Sequence, residues 1–202
     1  MKTSGFTVRG ITLSAMFAAL LVVLSFVNIH LGFSPVPITL ENFAIMLTGA
    51  LLGARYGLFS IGTVVVLTAI GLPLLHGSGG LALVLGPTGG YIWAYPFAAL
   101  FIGMIAPRIR GGRTKQIVLT FLTLEVFGSL MLYVTGVPWL AHTYHMTFQK
   151  AMVAGCYPYL IGDAVKAFAG ALIVVSVRQW ISVSGRRAVA GHSAAARNTT
   201  LS

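Results

Sequence analysis

The chain has 202 residues, of which 57% are hydrophobic and only 8% are charged, and its formal net charge is +10. Soluble globular domains carry about 25% charged residues, so this composition excludes a soluble domain and predicts an integral membrane protein. The basic residues are scattered between apolar segments, which argues against nucleic acid as a partner. A single cysteine, Cys156, excludes an internal disulfide framework.

The first seventy residues predict three apolar spans. The segment from Ile11 to Leu31 has no charged residue and is long enough for a first span. Prolines 35 and 37 end any helix there, because proline cannot continue the hydrogen-bond ladder. The stretches 42–54 and 56–70 flank Arg55, as one long helix or as two short helices that turn at 53–57. Two helices are favoured, because glycines occupy the turn and Arg55 can then reach water.

The rest of the chain predicts three more spans. A segment rich in glycine and proline, 71–90, separates the third span from a fourth at 91–106. The fifth span covers 116–135 and is interrupted by Glu125, and the sixth covers 151–177 with Pro158 as a kink. The chain thus divides into an N-terminal segment 1–10, a membrane domain 11–180 and a basic tail 181–202, which we expect to be disordered.

Charge distribution favours six spans over five. With six spans, both termini, Arg55 and the loop 108–115 lie on one side, which then holds 11 of the 13 basic residues. Five spans would instead place the basic loop and the arginine-rich tail outside. The sequence therefore predicts an all-α protein with six transmembrane helices in the cell (inner) membrane, with both termini in the cytoplasm and the basic tail at anionic lipid headgroups.

Two charged residues lie inside the last span, Asp163 and Lys166. Each costs about 2.5–3.5 kcal/mol at the centre of a membrane helix on insertion scales, so such residues are candidates for function. At a spacing of three they share one helix face and offer an acceptor and a cationic donor to one small polar ligand. The alternative is an internal ion pair that only neutralises itself.

The segment 71–90 is irregular yet apolar, with leucines between its glycines and prolines. Such backbone must be buried in protein or line a cavity when it lies at the membrane. Because glycine lets backbone approach a ligand closely, we interpret the segment as the wall or lid of a pocket on the outer side. A packed structural loop is the alternative.

Motifs for catalysis or metal binding are missing from the sequence. It contains no GxxxxGK[ST] phosphate loop, no HExxH and no Ser/His/Asp set, and His142 and His145 fit an interfacial belt better than a metal site. We expect no enzyme activity, metal or cofactor. Ala15 and Ala19, one turn apart in the first span, form a small-residue face that either packs within the bundle or docks another membrane subunit.

Taken in order, several motifs resemble BioY, the biotin-specific S component of energy-coupling factor (ECF) transporters. The resemblance covers most of residues 11–180. It rests on Val36-Pro37-Ile38-Thr39-Leu40, Gly49-x-x-Leu52-Gly53, Ala69-Ile70-Gly71-Leu72-Pro73, Gly79-Gly80, Leu85-Gly86-Pro87-Thr88-Gly89-Gly90-Tyr91 and Gly162-Asp163-x-x-Lys166. Two positions depart from the family pattern: Glu41 stands where glutamine is common, and Ile161 where proline is common.

The resemblance implies a six-helix bundle with a biotin cavity toward the outer face and no ATPase of its own. A transmembrane coupling subunit and two ATPase subunits would drive transport, with Ala15 and Ala19 on the docking face. Asp163 and Lys166 are the first candidates for biotin contacts. The second-rank candidates for lining the cavity are Thr39, Gly79, Gly80, Thr88, Gly89, Gly90 and Tyr91.

Two other functions remain open from the sequence. One is an S component for another vitamin. The other is a self-sufficient secondary transporter of a small organic anion, although no convincing internal repeat of the kind found in such transporters is visible.

Overall fold

The computed structural model describes residues 6–29, 32 and 34–199, with side chains as far as residue 181. The fold is all-α apart from one pair of two-residue strands. Helix α1, Val8–Ser25, begins where the Thr7 hydroxyl accepts a hydrogen bond from the Gly10 amide. It ends earlier than the predicted first span, because the chain turns into strand β1, Asn28–Ile29, which pairs antiparallel with β2, Ile38–Thr39. Leu31, the predicted end of that span, lies outside the described residues.

Helix α2, Glu41–Ala69, reverses its direction at Gly53. That glycine has φ +79° and ψ 176°, a conformation that side chains disfavour. In a straight helix Gly49 and Gly57 would be about 12 Å apart. Instead, a Cβ built on Gly57 lies 3.3 Å from the Gly49 Cα. The segments 41–52 and 54–69 are therefore two helices folded against each other, as the favoured interpretation of this region predicted.

A compact loop joins α2 to the next long helix. It contains the one-turn helix α3, Leu81–Val84, and leads into α4, Gly89–Ile105, which ends in a 3-10 turn, Ala106–Arg108. Helices α5, Arg113–Glu125, and α6, Met131–Thr143, are continuous through one π-helical turn, Val126–Leu130, directly after Glu125. Oε2 of Glu125 is buried and has no hydrogen-bond partner among the described residues.

The predicted sixth span, 151–177, is wrong in its first part. Helix α7, Phe148–Gly155, is separate, and α8 begins only at Leu160. Pro158 has no amide hydrogen to continue a helix, so the chain turns over residues 156–159. The backbone of α8 is helical to Thr199, which differs from the disordered tail predicted for 181–202. Alanine and arginine, which recur there, are strong helix formers.

The first half of α2 is the centre of the bundle. Ala44 and Ile45 pack in a cluster with buried residues of α1, α4 and α6. Met46, Leu47 and Ala50 pack in a second cluster with residues of α4, α5 and α8. Five helical segments among the described residues are long and apolar enough to cross a membrane, with α2 counted as one: Val8–Ser25, Glu41–Ala69, Gly89–Arg108, Arg113–Thr143 and Leu160–Ile181.

Arg178 marks one end of the bundle. Its guanidinium donates to the carbonyl of Ala106, after α4, and to the carbonyl of Ala50, in the last turn before the reversal at Gly53. Carbonyls at helix C-termini lack intrahelical partners and favour a cation, so one side chain satisfies two helix ends. The reversal in α2 and the connection after α4 therefore lie together at this end.

Candidate functional site

A cavity lies at the opposite end of the bundle from Arg178, where three segments meet: 34–40, 70–88 and 144–159. The space between its lining residues that no protein atom occupies, part of it open to solvent, is about 570 Å³. Nine of the sixteen lining residues are apolar or aromatic, and the other seven are polar or charged. The lining residues are Val36, Pro37, Thr39, Glu41, Asn42, His76, Thr88, Tyr91, Ile92, Tyr95, Leu132, Tyr133, Gly155, Tyr159, Asp163 and Lys166.

Asp163 and Lys166 lie side by side on the first turns of α8 and face the cavity. Lys166 Nζ is 2.7 Å from Asp163 Oδ1, and both side chains are largely buried. The spacing of three residues puts them on one face, as the sequence predicted. The pair is nearly neutral as a whole, which lowers the free-energy cost of burying it, and the carboxylate oxygens of Asp163 keep lone pairs that can accept from a ligand.

Lys166 also ties α8 to the beginning of α2. Its ammonium donates to the Thr39 carbonyl at 2.8 Å and to Asn42 Oδ1 at 3.0 Å. With Asp163, these acceptors use all three N–H groups of the ammonium. A ligand that bonds to Lys166 must therefore share or replace one of these acceptors.

Tyrosines form the walls between the charged groups. The Tyr133 hydroxyl donates to Asp163 Oδ2, and the Tyr91 hydroxyl donates to the Gly155 carbonyl at 2.8 Å. Tyr159 donates to the Val36 carbonyl and thereby holds the segment before β2 against the start of α8. These contacts fix ring positions, so the walls are largely formed before a ligand binds.

Glu41 is part of the cavity, which the sequence analysis did not predict. It is the first residue of α2, where a negative charge suits the helix dipole, and it is only 1% exposed. Its Oε2 accepts from the Tyr95 hydroxyl at 2.7 Å, and its Oε1 lies 3.1 Å from His76 Nε2. The one signal in the sequence was a carboxylate at the edge of an apolar segment.

His76 comes to the cavity from the loop between α2 and α3. Burial lowers the pKa of its imidazole, but the close contact with the Glu41 carboxylate and its negative charge raise the pKa more. The net result is a pKa above the ordinary value for histidine. The protonated form is therefore favoured near neutral pH more than in an exposed histidine.

The second-rank candidates separate into two groups. Thr39, Thr88 and Tyr91 line the cavity. The four glycines 79, 80, 89 and 90 are not among the described residues that line it. A Cβ on Gly79 would overlap the Leu72 carbonyl, one on Gly89 the Val84 carbonyl, and one on Gly90 the Trp139 side chain. These three glycines let the loop pack against protein backbone and a tryptophan, and Gly80, at φ +88°, donates its amide to the Thr68 carbonyl at 2.6 Å.

The remaining candidates lie elsewhere. Ala15 and Ala19 are exposed on α1 and do not line the cavity. His142 and His145 are exposed, and among the described residues no group of three His, Cys, Asp or Glu side chains could hold a metal ion.

Comparisons with known proteins agree in one family. The BioY family model matches residues 1–183. The biotin transporter BioY of Rhizobium etli is 38% identical over 170 residues, which are 82% of this chain and 90% of that protein. Biotin transporter BioY of Lactococcus lactis is 33% identical over 179 residues, 88% of this chain and 94% of that protein.

A solved structure extends the similarity to the fold. The S-component for biotin from an ECF-type ABC transporter superposes with a TM-score of 0.79 at 34% identity, covering 87% of this chain and 95% of that one. The family match, the relatives and the shared fold cover nearly the whole membrane domain. The chain therefore belongs to the BioY family.

Proposed function

We propose that the protein binds biotin in the cavity between α2, α4, α6 and α8, and that it is the substrate-binding S component of an ECF-type transporter. The observation that carries this proposal is the Asp163–Lys166 pair, which faces a mostly apolar cavity. Biotin is mostly apolar with a ureido ring at one end and a carboxylate at the other. Asp163 accepts from N–H donors, whereas Lys166 donates to a carbonyl or carboxylate.

Calorimetric titration of the purified protein tests the proposal. Biotin is expected to bind one molecule per chain, and thiamin and riboflavin are expected not to bind. Binding of another vitamin instead of biotin would make the protein an S component of different specificity.

Energy for uptake comes, in this proposal, from a separate coupling subunit and two ATPase subunits. The support within this chain is the face of α1 that carries Ala15 and Ala19. Both alanines are exposed, and Ile11, Met16 and Val23 on the same helix are also more than 40% exposed. Small residues allow a partner helix to approach closely.

Replacing both Ala15 and Ala19 by tryptophan is expected to abolish energised biotin uptake and co-purification with the coupling subunit, because the bulky rings hold the partner helix away. Biotin affinity should stay within a few-fold of the wild type. Val134→Trp is the matched control, since Val134 is 72% exposed on α6 and should tolerate the ring. A loss of biotin affinity in the double variant would mean that the face packs within this bundle. Unchanged uptake without any partner would favour a secondary transporter.

The membrane orientation that we propose has six crossings, the cavity outside and both termini in the cytoplasm of the cell (inner) membrane. The cavity end carries the segments 34–40, 70–88 and 144–159. The opposite end carries Arg178, the turn near Arg55 and the basic loop 108–115. A basic end in the cytoplasm follows the positive-inside rule.

Cysteine labelling tests this orientation. In a Cys156→Ser background, Ser78→Cys in the exposed loop near the cavity should react with an impermeant thiol reagent added to intact cells. Gly112→Cys, at an exposed position with open space around it in the basic loop, should react only after the membrane is permeabilised. The reverse pattern would overturn the orientation.

A further inference from the structure

The Glu41–His76 pair is a second ionisable cluster of the cavity, separate in sequence from Asp163 and Lys166. Glu41 Oε1 and His76 Nε2 are 3.1 Å apart, and among the described residues neither atom has a partner with hydrogen-bond geometry, so their contact is one of charge and distance. Two unprotonated acceptors at this distance would repel, so the pair favours a proton on Nε2, which both the imidazolium and one neutral tautomer carry. The other oxygen of Glu41 is held by Tyr95.

The loop around His76 is fixed on several sides. The His76 amide donates to the Ser25 hydroxyl at 3.2 Å, and that hydroxyl lies 3.1 Å from the Leu74 carbonyl. Leu75 and Ser78 pair across a tight turn, and Leu75 is fully buried. His76 itself has φ +54°, an uncommon conformation for a residue other than glycine. These contacts hold the backbone of His76 in place, so its imidazole stays beside the cavity.

The charge of the cavity depends on this histidine. The charged groups that line it are Glu41, Asp163, Lys166 and His76, and its titratable hydroxyls are those of Tyr91, Tyr95, Tyr133 and Tyr159. With a neutral imidazole, one cation faces two carboxylates, and an anionic ligand meets a net negative lining. With a protonated imidazole, the lining is balanced, and the repulsion of an anion is removed. Charges in a water-poor site interact more strongly than in bulk water.

We propose that His76 is a specificity-determining residue that lets the cavity accept an anionic ligand, so that biotin binds as its carboxylate together with one proton held on the imidazole. This inference rests on the proposed function, since it takes biotin as the ligand. It concerns Glu41 and His76, whereas the family resemblance pointed to Asp163 and Lys166 as the residues that contact biotin. If His76 only held the loop in place, the free protein and its complex with biotin would carry the same number of protons.

The charges determine whether biotin affinity rises or falls with pH. The ordinary pKa of histidine is about 6.5, and Glu41 raises that of His76 in the free protein. An anion in the cavity raises it further, so the complex holds the proton to higher pH than the free protein does. Below both values, biotin affinity should not change with pH. As pH rises through the value of the free protein, affinity should fall until the complex also loses its proton.

Calorimetric titration with biotin between about pH 6 and about pH 9 is the test. The wild type is expected to lose about tenfold in affinity over this range and to take up a fraction of a proton, measured from two buffers that differ in ionisation enthalpy. Biotinamide, which keeps the rings and chain but has no charge, should bind with little dependence on pH.

Variants identify the group that titrates. His76→Gln should remove the pH dependence, and Glu41→Gln should move it to lower pH because the imidazole loses its anionic partner. His142→Gln, at an exposed histidine outside the cavity, should keep the full dependence. A flat wild-type profile, an equal slope for biotinamide or an unchanged slope in His76→Gln would each overturn the inference while biotin binding itself stands. Absence of biotin binding at every pH would overturn the proposed function, and this inference with it.

Discussion

Asp163→Asn and Lys166→Met, made separately, are each expected to weaken biotin binding at least about tenfold, or about 1.4 kcal/mol. Loss of the ammonium leaves the Asp163 carboxylate, the Thr39 carbonyl and Asn42 Oδ1 without their shared donor. Loss of the Asp163 charge leaves a buried cation with neutral partners only. Breaking a buried ion pair on one side costs about 3–5 kcal/mol, so both variants should also unfold at lower temperature.

The double variant separates binding from stability. Asp163→Asn with Lys166→Met removes both charges, so its thermal stability should recover part of what each single variant loses. Its biotin affinity should stay low, because the ligand still lacks an acceptor and a donor. Recovery of both quantities would show that the pair is only an internal ion pair. Lys150→Met, at an exposed lysine, is the control and should match the wild type in both measurements.

Gly103→Ala is expected to lower the stability of the bundle strongly, because the added methyl group meets backbone rather than a side chain. A Cβ at this position of α4 would lie 2.6 Å from the Ala54 Cα and would overlap backbone atoms at the reversal of α2. Backbone cannot move aside as a flexible side chain can. Overpacking of this kind costs about 1–3 kcal/mol or more. The unfolding midpoint of the purified protein should fall by roughly 5–10 °C.

Gly62→Ala is the matched control, since it adds the same methyl group to the second half of α2 where nothing lies within 4 Å. Alanine is about 1 kcal/mol better than glycine inside a helix, so this variant should unfold at the same or a higher temperature. An unchanged midpoint for Gly103→Ala would mean that α2 and α4 can separate at the reversal without cost.

The sequence predicted the features that depend on a residue type that is unfavourable in its local segment, such as a charged residue inside an apolar span. Asp163 and Lys166 were found because charge is rare inside an apolar span. The reversal of α2 was found because an arginine and glycines interrupt an otherwise continuous stretch. In both cases the prediction rested on the unfavourable free energy of a charged residue in lipid and required no knowledge of its neighbours in space.

Features that depend on distant contacts were missed or misplaced. The glycines of segment 71–90 predicted a close approach of backbone, but the sequence could not tell a ligand from protein as the neighbour. The pairing of Glu41 with His76 depends on a loop that returns over the cavity from the far end of α2. Tyr95, Tyr133 and Tyr159 gave no signal, because tyrosines are common in membrane helices for other reasons.

The buried first half of α2 has a consequence for how the chain is made. Met46, Leu47 and Ala50 pack against α4, α5 and α8, and Lys166 donates the hydrogen bond to Asn42, so these partners are synthesised later than the helix they contact. More than a hundred residues separate Ala50 from Lys166, which at about 5–20 residues per second means a delay of roughly 5–20 s. During that interval Glu41, Asn42 and Thr48 are in the nascent chain without their final surroundings. A chain that ends before α8 therefore has a central helix without its α8 contacts and without the Lys166 hydrogen bond at its start.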